Sequence, residues 1–301
     1  MLVGPTGVGK TEVAFRTAER LGGEIVSADS RLFYRMMDIG TAKPSSQMMK
    51  QIPHHLIDVV DPDESYTCKR FERDARDAVR GILARKRIPV VVGGSGLYVR
   101  ALTDGIFEGP EADQDLRRKL RAEAAERGTA RLWARLQAVD RKKAAQVDPE
   151  NLVRIIRALE VYELTGRRMS ELEQQAVPFE VPCMKIGLTR KRSELYRMID
   201  QRVDRMMEAG FLYEVKRLAD RGYGDNLTVG GSLGYRELIA HIGGETTLTD
   251  AVDSIKRNTR HFAKRQITWF RRDPKITWID ITEGDDVDKI ADEVITRFRL
   301  R

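Results

Sequence analysis

Gly4-Pro5-Thr6-Gly7-Val8-Gly9-Lys10-Thr11 matches the pattern G-x-x-x-x-G-K-[ST] at every fixed position. The glycines let the backbone curl so that successive N–H groups point inward at an anion. Lys10 adds a mobile positive charge, and the Thr11 hydroxyl is placed to bind Mg²⁺. A helix beginning at Lys10 aims the positive end of its dipole at the same spot. The stretch therefore predicts a phosphate loop between a first strand, Met1-Leu2-Val3, and a helix running to about Leu21. It does not say whose phosphate is held.

The rest of the chain narrows the choice. With 301 residues, 41% hydrophobic and 33% charged, it has the composition of a soluble globular protein of one large domain or two modest ones. No apolar run approaches the roughly 20 residues needed to span a bilayer, so no membrane partner is expected. Cys68 and Cys183 lie far apart and outside any metal-ligand spacing, and a reducing cytoplasm is the expected setting. The net charge is +7, and it is uneven. Ten Lys or Arg stand against three acids from Arg117 to Lys143, and eight against Asp273 alone from Ser254 to Lys275. Such stripes are usually solvated helix faces, but they also fit an anionic partner larger than one metabolite.

The first hundred residues alternate short apolar runs with amphipathic stretches, the rhythm of a parallel α/β sheet. Glu24 to Ser27 reads as a second strand leading into Ala28-Asp29-Ser30. Phe71, Ala75, Ala78, Val79 and Ile82 recur at helical spacing, and Ile88 to Val92 reads as a buried strand closed by Gly93-Gly94-Ser95-Gly96. Residues 111 to about 177 are helical and Arg- and Ala-rich. Met184 to Leu188 returns as a strand, followed by helices at about 193–221 and 247–271 and a strand at Ile276 to Ile279. The expected fold is α/β, a P-loop-type parallel sheet core flanked by helices (1–110 and 183–301) with an all-helical insertion (111–182). Ligands sit at the carboxyl ends of such strands, so Thr6, Asp29 and Ser95 are expected around one crevice.

An ATPase or GTPase of this class carries an acid after an apolar strand to organise Mg²⁺. Here Val90 to Val92 ends in Gly-Gly-Ser. The acid at a strand end is Asp29, which in isolation reads as a cap or a hydrogen-bonded buried carboxylate. Beside a phosphate loop it reads better as a general base or substrate anchor.

Longer blocks carry a resemblance. Ser27 to Arg31, Tyr34 to Pro44, Pro53 to Asp58, Val92 to Tyr98, Arg157 to Tyr162, Gly234 to Glu237, Lys256 to Arg260 and Ala263 to Arg271 closely resemble the tRNA dimethylallyltransferase (tRNA isopentenyltransferase) family, bacterial type. The resemblance implies transfer of a dimethylallyl group from dimethylallyl diphosphate to N6 of the adenosine just 3′ of the anticodon. The tRNAs concerned read codons beginning with U, and Mg²⁺ is the implied cofactor. By the same resemblance Asp29 is the catalytic base, with Thr6 beside the reacting groups. Gly4, Pro5, Thr6, Gly7, Val8, Gly9, Lys10, Thr11 and Arg202 hold the diphosphate, and Thr11 the metal. The tRNA anticodon stem-loop is met by Asp29, Ser30, Arg31, Ser95, Arg117, Arg154, Arg157, Gly234, Tyr235 and Arg236. For Arg154 and Arg157 a structural role is an even alternative. Trp269 and Phe270 are expected in the core, and a monomer is expected.

Two departures stand out. The first strand has only three residues, and Met198 occupies a position where relatives often carry Arg, one turn before Arg202. A P-loop small-molecule kinase and a non-catalytic RNA-binding module remain the competing functions.

Overall fold

Six short strands organise the larger part of the chain in the computed structural model, which describes residues 1–226 and 228–300. They are β1 (Leu2–Val3), β2 (Glu24–Ser27), β3 (His54–His55), β4 (Pro89–Gly93), β5 (Lys185–Arg190) and β6 (Ile276–Ile281). Every pairing is parallel and the order is β3-β2-β4-β1-β5-β6. The chain leaves β1 toward β2 on one side and, after β4, crosses to β5 on the other. The carboxyl ends of β1 and β4 therefore flank a topological switch point, where a parallel sheet opens a crevice. This is the expected parallel sheet flanked by helices, of the P-loop kind.

The first strand, two residues long rather than the expected three, sits centrally. Leu2 and Val3 pair with Val92 and Gly93 on one side and with Ile186 and Gly187 on the other, and both are buried. Backbone pairing on two sides fixes a strand that has little side-chain area of its own. Helix Lys10–Leu21 packs Val13, Ala14 and Ala18 against this layer, joined by Ile25, Val90, Ile186, Leu188 and Ile199. The single helix expected at 193–221 is two, Arg192–Glu208 and Phe211–Asp220. Gly210 at φ +94° stands between them, a left-handed backbone that ends one helix and starts the next. Sequence reading also passed over β3 and the last helix, Val287–Arg299.

The chain divides into two compact units, Met1–Thr103 with Glu180–Arg301, and Asp104–Phe179. The second is all helical, with Leu120, Leu132, Leu136, Ile155, Ile156 and Leu159 as its core. Its polar centre is Glu160, whose side chain is 0% exposed. Arg117 donates to both carboxylate oxygens at 2.8 Å, Arg157 donates at 2.6 Å, and the Asp113 N–H donates at 2.9 Å. Burial pushes the Glu160 pKa up, but these donors outweigh it and hold the group below its usual value. Glu160→Gln removes the charge while keeping the shape. Urea unfolding should show this unit destabilised by about 2–3 kcal/mol, discounted because both arginines are partly solvated. An unchanged midpoint would show that the cluster contributes nothing.

Candidate active site

At the carboxyl end of β1 the chain enters the phosphate loop. Gly4 has φ +147°, and a Cβ there would stand 2.5 Å from the Leu188 carbonyl oxygen of β5. Gly9, at φ +102°, turns the chain into the helix that begins at Lys10. Among the described residues, the N–H groups of Gly7, Val8, Gly9, Lys10 and Thr11 donate to no group of the chain. Five converging donors without an acceptor fit an anion. Thr6 differs: its N–H donates to Gln266 Oε1 at 2.8 Å, and its hydroxyl accepts from Arg202 at 3.0 Å.

Lys10 folds back over the loop and donates to the Pro5 carbonyl at 2.7 Å. Burial lowers its pKa to about 8, against the opposing pull of Asp29 and with a further push from Arg202. The Arg202 guanidinium is likewise lowered, first by burial, while Asp29 pulls the other way. Lys10, Arg202 and Asp29 thus lie within electrostatic reach of one another. The structure brings the expected second arginine to the loop, and Met198, one turn earlier on helix Arg192–Glu208, is half-buried.

Asp29 follows the carboxyl end of β2 and accepts the Arg31 N–H at 3.0 Å. The Ser30 N–H reaches Ser95 Oγ at 3.4 Å, joining this turn to the end of β4. Arg31 donates to the Thr228 carbonyl at 3.4 Å. The Ser30–Ser95 contact and the Gln266 bonds to Thr6 and Gly94 thus link the turns after β1, β2 and β4.

Beyond Asp29, the segment Asp38-Ile39-Gly40-Thr41-Ala42-Lys43 is wired internally. Glu214, 3% exposed, accepts the N–H groups of Asp38, Ile39 and Gly40 at 3.0, 2.7 and 3.1 Å. Lys43 donates to the Tyr34 carbonyl at 3.0 Å and to Asp38 and Asp58 at 2.5 Å each. Tyr235, expected at the RNA, is 1% exposed. Its hydroxyl donates to Glu214 at 2.7 Å and its ring packs edge-on to Phe211, so the side chain serves packing. Arg236 is exposed and pairs with Glu237, which also accepts the Gly234 N–H. In the helical unit Arg154 is exposed, whereas Arg117 and Arg157 hold Glu160.

Gln266 and Glu214 were not singled out from sequence. Gln266 stands inside the block Ala263 to Arg271, and its neighbours Lys264 and Arg265 drew attention to charge instead. Helical spacing carries the missing signal, because Ala263, Gln266 and Phe270 share the buried face of Leu248–Phe270.

Comparison with known proteins decides the family. A model of the IPP transferase family matches residues 32–273. The chain belongs to the IPP transferase family. The tRNA dimethylallyltransferase of Desulforudis audaxviator is 48% identical over 285 residues, covering 94% of this chain and 92% of that protein. That of Thermotoga petrophila is 46% identical, covering 97% and 94%. Among solved structures, the full-length tRNA isopentenylpyrophosphate transferase of Bacillus halodurans superposes with a TM-score of 0.72 at 40% identity, covering 99% of this chain and 96% of that one. A eukaryotic dimethylallyltransferase acting on tRNA gives 0.76 at 28% identity, covering 98% and 76%.

A pH experiment follows from Lys10. Its folded-state pKa lies below the unfolded value of 10.5, so between about pH 8 and 10.5 the unfolded chain binds the extra proton. This lysine's contribution to stability therefore rises with pH across that window, because burial penalises its charged form. Titration with inorganic diphosphate should show affinity falling as pH passes about 8. Lys10→Arg, which keeps its charge, should lack that fall; matching profiles would mean Lys10 does not meet the anion.

Proposed function

We propose that this chain transfers the dimethylallyl group of dimethylallyl diphosphate to N6 of the adenosine 3′ of the anticodon, position 37, in tRNAs reading UNN codons, releasing diphosphate. As a member of its family it is a prenyl-transferring enzyme that acts on tRNA. The observation carrying the finer reading is a phosphate loop with Lys10 and Arg202 beside it and the Asp29 carboxylate within electrostatic reach of both cations.

The exocyclic amine of adenine is a weak nucleophile because its lone pair is conjugated into the ring. Asp29, accepting a hydrogen bond from N6–H, raises its nucleophilicity and takes the proton as the new C–N bond forms. The allylic C–O bond breaks with cation-like character at carbon, and charge collects on the departing diphosphate. The free N–H groups of Gly7 to Thr11, with Lys10 and Arg202, meet that charge in place. Thr6, whose hydroxyl already accepts from Arg202, stands beside the leaving oxygen.

Among the described residues no group of three or more His, Cys, Asp or Glu is placed to hold a metal. The exposed Thr11 hydroxyl at the first turn of Lys10–Leu21 fits a cation that takes its other ligands from the diphosphate and water, which is the habit of Mg²⁺. Bound there, Mg²⁺ would supply further neutralisation of the leaving group.

The base must leave the anticodon-loop stack to reach the crevice. Ser30, Arg31 and Ser95 border its nucleotide side, with Gly234 and Arg236 nearby in sequence to the turn at Thr228 that Arg31 contacts. Lys264, Arg265 and Arg272 line a groove beside Trp269 and have no carboxylate partner among the described residues. Arg154 is a comparable exposed cation on the helical unit. Helix Leu248–Phe270 is 23 residues long, yet no helix among the described residues is long and apolar enough to cross a membrane. The chain is proposed to act as a cytoplasmic monomer.

Labelled dimethylallyl diphosphate, Mg²⁺ and unmodified tRNA with adenosines at positions 36 and 37 separate the readings. Label appearing in RNA supports transfer; ATP turnover on a metabolite without it would favour a kinase. Asp29→Asn should slow single-turnover transfer by about 10²–10⁴-fold while tRNA affinity holds. Parallel losses of rate and affinity would make Asp29 a binding residue instead. Replacing Lys264, Arg265 and Arg272 together with Ala should weaken tRNA binding and flatten its slope against log salt by about 2. An unchanged slope would remove that groove from the RNA surface.

A further inference from the structure

Gln266, on helix Leu248–Phe270, turns into the sheet and is only 6% exposed. Its Oε1 accepts the Thr6 N–H at 2.8 Å, and its Nε2 donates to the Gly94 carbonyl at 2.8 Å. The amide cannot be flipped, because a backbone N–H only donates and a carbonyl only accepts. The space is equally specific. A Cβ on Gly94 would stand 2.3 Å from Nε2 and 3.4 Å from the Gly4 carbonyl oxygen. One carboxamide thus ties the loop after β1 to the end of β4, with Ser95 the next residue along.

This tie has a second consequence. Among the described residues, Thr6 alone of the stretch Thr6 to Thr11 has its N–H taken by a protein acceptor. An anion in the loop is therefore met from Gly7 onward, and Thr6 offers the crevice its hydroxyl, which accepts from Arg202.

Resting on the function proposed above, we infer that Gln266 is a positioning residue for transfer. It sets the separation of the diphosphate wall from the nucleotide wall, and it fixes where in the loop the diphosphate begins. Gln266 touches neither reactant; it acts through Thr6 and Gly94. Its loss leaves each substrate with its own contacts and spoils their mutual alignment, so rate suffers before affinity does.

Three variants test this at saturating dimethylallyl diphosphate and tRNA, in single turnover, with near-UV circular dichroism confirming the fold. Gln266→Ala removes both bonds and should slow transfer about tenfold or more, with tRNA affinity unchanged. Gln266→Glu keeps an acceptor for Thr6 but sets a second acceptor against the Gly94 carbonyl. Only the protonated carboxyl can donate there, so the rate of this variant relative to wild type should recover from about pH 8 down to about pH 6. For Gln266→Ala the ratio should stay flat. Gly94→Ala should slow the wild type by displacing the amide, yet add little in the Gln266→Ala background, where the clash is gone. Should Gln266→Ala fail to fold, the pH ratio of Gln266→Glu and the rate of Gly94→Ala still decide. Full activity of folded Gln266→Ala, a flat ratio for Gln266→Glu, or additive losses in the pair would each overturn the inference. A wild-type chain that transfers nothing overturns the proposed function and this inference with it. Wild-type transfer with indifferent variants overturns the inference alone.

Discussion

At the ends of β1 and β4 the backbone is approached closely, by other backbone at Gly4 and Gly93 and by the Gln266 and Trp269 side chains at Gly94 and Gly96. A Cβ on Gly93 would lie 2.3 Å from the Ala28 carbonyl oxygen, and one on Gly96 would lie 2.0 Å from the Trp269 ring. With Gly4 against Leu188 and Gly94 against Gln266, four positions around the crevice leave no room for a methyl group. This closeness decides what a ligand can find there. Its walls present N–H groups and the tips of a few long side chains, a surface suited to phosphate oxygens. It also makes the site rigid, since close-packed backbone cannot yield by rotamer change. A pre-set array of donors is what a developing anionic charge requires, because no reorganisation is then needed at the moment of bond breaking.

The second constraint is electrostatic. Burial lowers the pKa of both Lys10 and Arg202; Arg202 adds to the push on Lys10, Arg205 adds to the push on Arg202, and Asp29 opposes in both cases. Two half-buried cations within electrostatic reach of one carboxylate leave a positive excess beside the loop. The loop is therefore a place where an anion would be electrostatically favoured. Among the described residues the Asp29 carboxylate accepts one hydrogen bond, from the Arg31 N–H at 3.0 Å, while the Asp29 N–H itself donates to Ser27 Oγ at 3.3 Å. A carboxylate left in this condition retains acceptor capacity for a substrate N–H.

Much of this was legible in the sequence, and the reason is local. The phosphate loop, the strands at Glu24 to Ser27 and near Val90, and helix Lys10–Leu21 are each specified by residues close together in the chain. Asp29 and Arg202 were found because a pattern extends across their surroundings. Gln266 and Glu214 were not, because their partners lie 260 and 174 to 176 residues away, and helical spacing marks only that each lies on a buried face, not what it bonds there. β3 has two residues, too few for any periodicity to register. The break at Gly210 was passed over because the apolar spacing continues through Phe211, Val215 and Leu218 in the next helix. Tyr235 was misjudged in placement for a related reason. Its neighbour Arg236 is exposed, while its own ring fills the space beside Gly40, where a Cβ would meet Phe211 and Tyr235 within 2.6 Å.

Counting basic residues also overstates the charge available to RNA, and the helical unit shows by how much. Of its arginines, Arg117 and Arg157 share the single carboxylate of Glu160, so the three together carry one net positive charge rather than two free ones. Yet the loss of charge brings a gain in aim. Arg117 is gripped through Nε and Nη2, and Arg157 through Nη1 to Glu160 and Nη2 to the Pro110 carbonyl at 3.0 Å. Each fork is partly solvent-exposed and retains N–H groups pointing away from the buried acid. A guanidinium already held in one orientation loses less entropy on meeting a phosphate than one that swings freely. Arg154, exposed and unheld, offers the opposite compromise of full charge and no fixed direction. The burial of Glu160 thus converts diffuse basic charge into two oriented donors, and a phosphate backbone passing this face would be read by geometry as well as by charge.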